Sequence, residues 1–222
     1  MSRFGFYWRS TQHDLQDDVD LVLAVHRILA QMAPRFGEWW LKGDSPEPND
    51  RIEFSQHCVR KILIDGMGFE GTEPGVLSEL GTSLSGWSPA DPLETMSFRL
   101  NVCPDWFETN LFEIEFSSDI TIGELPLPES DCIELFSKLN GVLKPDRSAL
   151  TSPKWSLKLR STSKAKSVGW LTFTRNRVPE QKFSPNFAHV IQASEGSLVK
   201  LCSPPSEITI ADLQLVQDAI EN

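Results

Sequence analysis

Three short segments of this chain alternate apolar with polar residues, and this alternation restricts the possible folds more than any other feature. The segments are residues 96–102, 112–116 and 155–160. In the second segment, Phe112, Ile114 and Phe116 alternate with Glu113 and Glu115. Antiparallel strands with one face in water produce this pattern, whereas strands of a buried parallel sheet are apolar throughout. The chain is therefore predicted to contain a mostly antiparallel sheet.

The same pattern suggests which strands are neighbours and where others lie. If the strands at 112–116 and 155–160 pair, Glu113 and Glu115 would face Lys158 and Arg160 across the exposed face. Further strands are predicted at 4–9, 168–174, 188–193 and 197–202.

Other apolar residues recur at helical spacing. A long first helix is predicted to begin near Thr11, with Asp14 placed as in a capping box, and to end before Pro34. Its apolar stripe comprises Leu15, Val19, Val22, Val25, Leu29 and Met32. Further helices are predicted at about 51–64, at about 129–140 with Gly141 as the stop, and at 210–220. The predicted fold class is α+β: a mostly antiparallel sheet flanked by an N-terminal long helix, a middle helix and a C-terminal helix.

The 222 residues are enough for one substantial core, and no linker or repeat divides them, so a single domain over 1–222 is predicted. Residues 36–42 are predicted to form a short amphipathic turn or helix. The segment 66–92 carries six glycines among Ser, Thr and Pro and is predicted to be irregular.

Charge is distributed unevenly along the chain. The net charge is −10, and residues 1–144 carry 11 Lys and Arg against 24 Asp and Glu, a net of −13. Such an acidic protein is a poor general binder of nucleic acid, because affinity for phosphates comes from cations. It suits a basic protein partner, although many acidic proteins are acidic only for solubility.

The location is predicted to be cytoplasmic. No run of 18 apolar residues could span a membrane, and the first residues lack the apolar core of a signal peptide. The four cysteines stand far apart, at positions 58, 103, 132 and 202, and are predicted to be buried free thiols rather than disulfides.

Catalytic motifs are missing from the sequence. The four histidines form no HExxH or zinc-finger spacing, and His26, at the border of the apolar stripe, is predicted to be structural. The segment 81–86 has one residue too many between its glycines for a nucleophile elbow, and no phosphate-binding loop occurs. We expect no cofactor, no metal and no enzymatic activity. Active sites also assemble from distant residues, so an enzyme with a site near residues 66–92, using His57, remains an alternative.

Seven tryptophans against one tyrosine is an unusual ratio. Trp8, Trp155 and Trp170 lie on predicted strands and are expected in the core. Trp87 lies in the segment predicted to be irregular, so it is the better candidate for an interface.

Two groups of residues, at opposite ends of the chain, resemble the bacterial immunity protein 52 family. The N-terminal group is Tyr7-Trp8-Arg9, followed by the first helix and by Trp39-Trp40 before Lys42-Gly43. The C-terminal group is Val168-Gly169-Trp170-Leu171-Thr172-Phe173, which is similar to the Gly-Trp strand of the family with Phe173 in place of a more usual tyrosine. Gly196-Ser197-Leu198-Val199 and a last helix are similar to the family's C-terminal part, whereas residues 66–150 carry no specific match.

The resemblance implies an α+β protein without enzymatic activity that is made beside a toxin and neutralises it in the cytoplasm. The toxin implied is a secreted nuclease with a restriction-endonuclease-like domain, delivered by a type VI or related secretion system. A chaperone or adaptor for a secreted effector is the alternative binding function. Neither reading involves direct contact with nucleic acid or membrane.

An inhibitor of a nuclease has to cover a basic, phosphate-binding cleft, and acidic side chains with an aromatic anchor suit that purpose. The predicted toxin-binding residues are therefore Asp14, Asp17, Asp18, Glu47, Asp50 and Trp87. The acids at 14–20 have a second explanation, because carboxylates in a first helical turn interact favourably with the helix dipole.

Overall fold

The predicted α+β fold is confirmed by the computed structural model, which describes residues 1–9, 14–41, 51–65, 82–88, 94–100, 109–160 and 168–221. The strands are β1 (Ser2–Arg9), β2 (Trp40–Leu41), β3 (Thr82–Trp87), β4 (Thr95–Leu100), β5 (Thr109–Phe116), β6 (Arg147–Thr151), β7 (Leu171–Thr174), β8 (Ala188–Ala193) and β9 (Gly196–Leu201). The helices are α1 (Leu15–Met32), α2 (Gln56–Asp65), α3 (Glu129–Leu143), α4 (Pro153–Arg160) and α5 (Ile210–Glu221).

Within the described ranges, the strands form one nine-stranded sheet in the order β2-β3-β4-β5-β1-β6-β7-β9-β8. Every pair of neighbouring strands is antiparallel. The first strand of the chain thus lies at the centre, between β5 and β6. Because β1 is paired on both sides, its inward residues supply the middle of the core.

One face of the sheet, here called the inner face, packs on α1 and α3. Phe4 and Phe6 of β1 lie against Phe136 of α3, with ring centroids 6.0 and 5.6 Å apart, and Phe6 stacks on Phe112 of β5 at 5.8 Å. The buried positions of α1 include Val19, Val22, Val25 and Leu29, as the apolar stripe predicts. On the other face, here called the outer face, α5 reaches β6 through an ion pair of 3.4 Å between Glu221 and Arg147.

The segment 155–160 is a helix, so the strand predicted there is wrong. Trp155 and Leu159 are 5% and 3% exposed, while Leu157 between them is 68% exposed. Residues four apart share a helix face, whereas a strand would place all three on one side. Pro153 occupies the first helical position, and the Ser152 hydroxyl accepts the Lys154 N–H at 3.2 Å. The predicted pairing of Glu113 and Glu115 with residues 158 and 160 is therefore also wrong.

The end of α3 differs from the prediction as well. The helix continues through Gly141 to Leu143 and ends at Lys144, which adopts a left-handed conformation with φ 46° and donates its N–H to the Asn140 carbonyl at 3.0 Å. Pro145 follows and cannot continue the helix, so proline rather than glycine sets the boundary.

Several other predicted boundaries move. Helix α1 begins after Asp14 rather than near Thr11, and α2 begins at Gln56 rather than near 51. Residues 36–42, predicted as a short turn or helix, contain the end of a 3-10 helix at Pro34–Gly37 and the short strand β2. The segment 66–92, predicted to be irregular, contains β3, and its other residues except Ser88 lie outside the described ranges.

Strand β6 is present where no strand was predicted. The observed bounds of β4, β5, β7, β8 and β9 agree with the predictions to within a few residues. Trp8, Trp155 and Trp170 are buried in the core, as predicted. Three cysteines are free thiols: Cys132 is buried, as predicted, whereas Cys58 and Cys202 are only half-buried, and Cys103 lies outside the described residues.

Candidate partner-binding surface

The acidic start of α1 is a complete capping box. The Asp14 carboxylate accepts the Asp17 N–H at 2.8 Å, and the Asp17 carboxylate accepts the Asp14 N–H at 3.4 Å. Both side chains are exposed, whereas Asp18 is buried at 1% exposure. Of these three predicted binding residues, only Asp14 and Asp17 present carboxylates to solvent, and both also stabilise the helix end.

Trp87 lies at an edge of the sheet in contact with a second tryptophan. Its ring centroid is 5.9 Å from that of Trp40, the residue opposite it on β2. The Arg51 guanidinium stands 5.9 Å from the Trp40 ring centroid and donates to the Glu38 carboxylate at 2.8 Å. Both tryptophans are half-buried, and Arg51 and Glu38 are mostly exposed. We name Trp40, Trp87, Arg51 and Glu38 the edge cluster.

Two predicted binding residues, Glu47 and Asp50, lie outside the described residues. Trp87 and the acids of α1 occupy different sides of the sheet. Trp87 is level with Thr95 and Glu115 on the outer face, whereas α1 packs on the inner face. The structure thus brings Asp14 and Asp17 together, and it separates them from Trp87.

A network of charged side chains occupies the outer face at the centre of the sheet. Arg3 Nε donates to Glu115 Oε1 at 2.9 Å, and Arg3 Nη1 donates to Glu113 Oε1 at 3.1 Å. The Tyr7 hydroxyl donates to the same Glu113 oxygen at 2.6 Å. Its ring lies over Gly5, where a Cβ would stand 2.7 Å from the Tyr7 hydroxyl. We name Arg3, Tyr7, Glu113 and Glu115 the central network.

The environment of Arg3 keeps it charged. Partial burial lowers the pKa of Arg3, but the carboxylates of Glu113 and Glu115 oppose this effect and raise the pKa above its ordinary value. The side chains of Arg3, Glu113 and Glu115 are 21%, 18% and 26% exposed, so their charges are fixed yet still reach solvent. Fixed, partly desolvated charges favour specific recognition because little rearrangement is needed on binding.

The edge cluster and the central network share the outer face. The strand register places Trp87 opposite Thr95, Thr95 opposite Glu115, and Glu115 opposite Arg3, in one row across four strands. Adjacent strands are about 4.8 Å apart, so this row extends over about 14 Å from Trp87 to Arg3. Ser83 and Ser85 on β3 are exposed. We name this area, from the edge cluster to the central network, the outer surface.

Sequence reasoning found only part of the outer surface. The alternation of Glu113 and Glu115 with apolar residues correctly indicates a strand with one solvent-facing side. Their partner Arg3, however, lies 110 residues from Glu113 and 112 residues from Glu115 in the chain. The pairing of Trp40 with Trp87 likewise depends on the contact between β2 and β3. Neither contact has a local sequence signal.

His26 has packing contacts that agree with the structural role predicted for it. Its ring stacks on Phe54 with centroids 3.5 Å apart, and Nε2 lies 3.1 Å from the Gly37 carbonyl oxygen. Burial lowers its pKa, and the bond to Gly37 opposes this in part. Across the part of the chain that the structure describes, no three or more His, Cys, Asp or Glu side chains are grouped so that they could hold a metal ion. None of the described helices is both long and apolar enough to cross a membrane.

Comparison with known proteins gives a structural likeness. No family model matches the chain, and no curated protein matches it, so the resemblance to the immunity protein 52 family stays a prediction. The chain is similar to a solved structure described as "Pseudomonas aeruginosa T6SS protein PA0821", with a TM-score of 0.53 and 13% sequence identity. The match covers 99% of this chain and 75% of the other. At this identity the likeness shows a shared fold.

Proposed function

We propose that this chain is an immunity protein, a binding protein rather than an enzyme, that neutralises a secreted bacterial toxin by covering its active site. The observation that carries the proposal is the edge cluster, in which two half-buried tryptophans and an exposed arginine lie together at the rim of the outer surface. Tryptophan and arginine are enriched among the residues that dominate binding energy in protein interfaces. Covering a large, partly exposed aromatic pair removes much apolar surface from water, and this burial contributes strongly to the free energy of binding.

The central network completes the binding surface. Its charged side chains are held in place by hydrogen bonds within the fold. A partner with complementary groups therefore binds without the entropic cost of ordering these side chains. The net charge of −10 favours a basic partner, whose approach it would accelerate.

Two observations support the toxin as the partner. The chain resembles the immunity protein 52 family at Tyr7-Trp8-Arg9 and at Val168-Gly169-Trp170, and it shares its fold with a protein described as belonging to a type VI secretion system. The finer proposal is a nuclease toxin with a restriction-endonuclease-like domain, whose basic cleft suits an acidic inhibitor. Such an inhibitor works in the cytoplasm, where an incoming toxin would act.

The test of the outer surface uses the purified toxin domain encoded beside this chain. Trp87→Ala and Trp40→Ala should each weaken binding at least tenfold, about 1.4 kcal/mol or more, because they remove the aromatic anchor. Leu215→Ala is the matched control, since Leu215 is 55% exposed on α5, away from the edge cluster. Equal affinity for all three variants and the parent would exclude the edge cluster as the contact.

The predicted acidic contact is tested separately, with the capping box kept intact. Asp14→Asn and Asp17→Asn keep a side-chain oxygen that accepts the same N–H, so the capping hydrogen bonds persist, while two charges and their favourable interaction with the helix dipole are lost. Asp14→Ala removes the cap and should cost about 1 kcal/mol of stability. If these acids contact a basic toxin, the Asn double variant should slow association several-fold at low salt. An unchanged association rate would exclude Asp14 and Asp17 as toxin contacts and leave the outer surface as the proposed binding site.

A further inference from the structure

The two edges of the sheet are built differently. At one edge the last strand is β2, which is two residues long. At the other edge the last strand is β8, which pairs with β9 over six consecutive residues without a bulge. Short strands, bulges, prolines and charged residues are the usual protections that stop an edge from pairing with another chain. Strand β8, with the sequence Ala-His-Val-Ile-Gln-Ala, has none of these four, although a loop packs beside it, in which Arg177 and Val178 bond to the Gln192 side chain.

The free edge of β8 presents backbone groups at two positions. A two-residue turn at 194–195 joins β8 to β9, which makes Ala193 and Gly196 a hydrogen-bonded pair. Bonded and non-bonded pairs alternate along an antiparallel ladder, so Val190 and Gln192 direct their N–H and C=O groups away from β9. In the described ranges no strand pairs with this side of β8.

Between these two positions lies an exposed apolar side chain. Ile191 is 48% exposed and stands on the inner face beside Leu198 of β9. It lines a cavity of about 190 Å³ together with Leu198, Phe173 and Phe136. An added strand at this edge would cover Ile191 and extend the wall of the cavity.

We propose that two copies of this chain pair antiparallel through β8 about a two-fold axis at Ile191, joining their sheets. In this register Val190 of each copy exchanges backbone hydrogen bonds with Gln192 of the other, and Ile191 faces Ile191. Residues opposite each other in a non-hydrogen-bonded pair have the closest side chains, about 4.5 Å between Cα atoms. The two isoleucines therefore bury each other, and the interface is self-complementary as a two-fold contact requires.

The polar side chains near β8 are compatible with this arrangement. Glu195 lies in the turn at one end of the β8–β9 hairpin, and His189 with its opposite residue Lys200 lies at the other end. Antiparallel pairing puts the turn of one copy beside the beginning of β8 in the other. Glu195 then becomes a diagonal neighbour of His189 of the other copy, with Lys200 on the next strand. Glu195 of one copy thus approaches the exposed His189 of the other copy, while Lys200 stays ion-paired with Glu129 of its own copy.

The oligomeric state of the full chain tests the proposal directly, and it does so without any toxin. Light scattering coupled to gel filtration should give twice the chain mass of 25.0 kDa at concentrations up to about 0.1 mM. Ile191→Lys places two positive charges opposite each other and should return the mass to that of a monomer. Leu157→Lys, at an exposed apolar position on α4, is the control and should remain a dimer. A monomeric parent protein, or a dimer unchanged by Ile191→Lys, would overturn the proposal.

A cysteine scan tests the register. Ile191→Cys should cross-link two copies under mild oxidation, because a non-hydrogen-bonded pair brings the two Cα atoms within the range that a disulfide spans. Gln192→Cys should not cross-link with itself, because its opposite residue is Val190 of the other copy. The parent protein measures the background from the native cysteines. Cross-linking by Gln192→Cys in place of Ile191→Cys would overturn the two-fold axis at Ile191.

Discussion

Replacing Gly169 by alanine should destabilise the protein strongly, although the change adds a single methyl group. A Cβ at Gly169 would stand 2.0 Å from the Leu150 carbonyl oxygen and 2.7 Å from the Leu150 carbonyl carbon, both of them backbone atoms. Ordinary contact with a Cβ begins at 3.4 Å. A backbone neighbour cannot rotate out of the way as a side chain can, so the chain at 169 must separate from β6.

The expected size follows from what this separation breaks. The Trp170 N–H donates to the same Leu150 oxygen at 2.9 Å, at the junction of β6 and β7, and Trp170 is 2% exposed. Losing a buried backbone hydrogen bond costs about 1–3 kcal/mol, and overpacking a core costs about 1–3 kcal/mol more. Gly169→Ala should therefore lower the free energy of unfolding by about 2–6 kcal/mol, a large share of the stability of a typical domain.

Urea unfolding, followed by tryptophan fluorescence and by circular dichroism, measures this loss. Gly141→Ala is the matched control, because a Cβ at Gly141 meets nothing within 4 Å and the residue lies inside α3. The same chemical change should there raise the free energy of unfolding by about 0.5–1 kcal/mol. A Gly169→Ala protein within about 1 kcal/mol of the parent would refute the packing at this junction.

Two further predictions concern titration and reactivity. Burial lowers the pKa of His26 below its ordinary 6.5, so the unfolded chain binds this proton more readily than the folded one. The contribution of His26 to stability should be complete above pH about 6.5 and should be lost as the pH decreases from there through the pKa of the folded state. The urea midpoints measured at pH about 7.5 and at pH about 5 should therefore differ less in His26→Gln than in the parent protein. An equal difference in both proteins would contradict the effect. Burial also raises the pKa of the Cys132 thiol to about 11, so iodoacetamide should label the half-buried Cys58 and Cys202 before Cys132. Peptide mass spectrometry measures the order of labelling. Labelling of all three cysteines at similar rates would contradict the burial of Cys132.

The parts of the fold that sequence reasoning predicted are those with a strong local pattern. The alternation around Phe112 and Ile114 persists through β5, and the stripe from Val19 to Leu29 fills one face of α1 over about three turns. In both cases many residues repeat one period, so that period is unambiguous.

The errors arise where a short segment fits two periods. In 155–159, the burial of Trp155 and Leu159 fits a strand and a helix equally well, and only the exposure of Leu157 distinguishes the two. The start signal of Pro153 after Ser152 favoured the helix. Strand β6 follows α3 closely and is five residues long, too short for alternation to identify it.

The candidate surface was harder to predict because contacts distant in sequence create it. The segment around Trp87 is predicted to be irregular, which makes Trp87 an interface candidate. It lies instead in a regular strand, and its neighbour Trp40 is 47 positions earlier in the chain. The acids at 14 and 17 are candidates for toxin binding because of their charge, and the capping box, predicted for Asp14 from the sequence, gives them a structural function as well. Charge counts do not separate the two functions, whereas the Asn and Ala substitutions do.

Co-expression with the proposed toxin domain, scored for cell survival and for co-purification, tests the proposed function most directly. We predict survival with a stable complex, both of them lost when Trp40 and Trp87 are replaced by alanine together and retained in Leu215→Ala. A complex that forms without survival would indicate an effector chaperone or adaptor and contradict neutralisation. Cell death without any complex would contradict the immunity function itself.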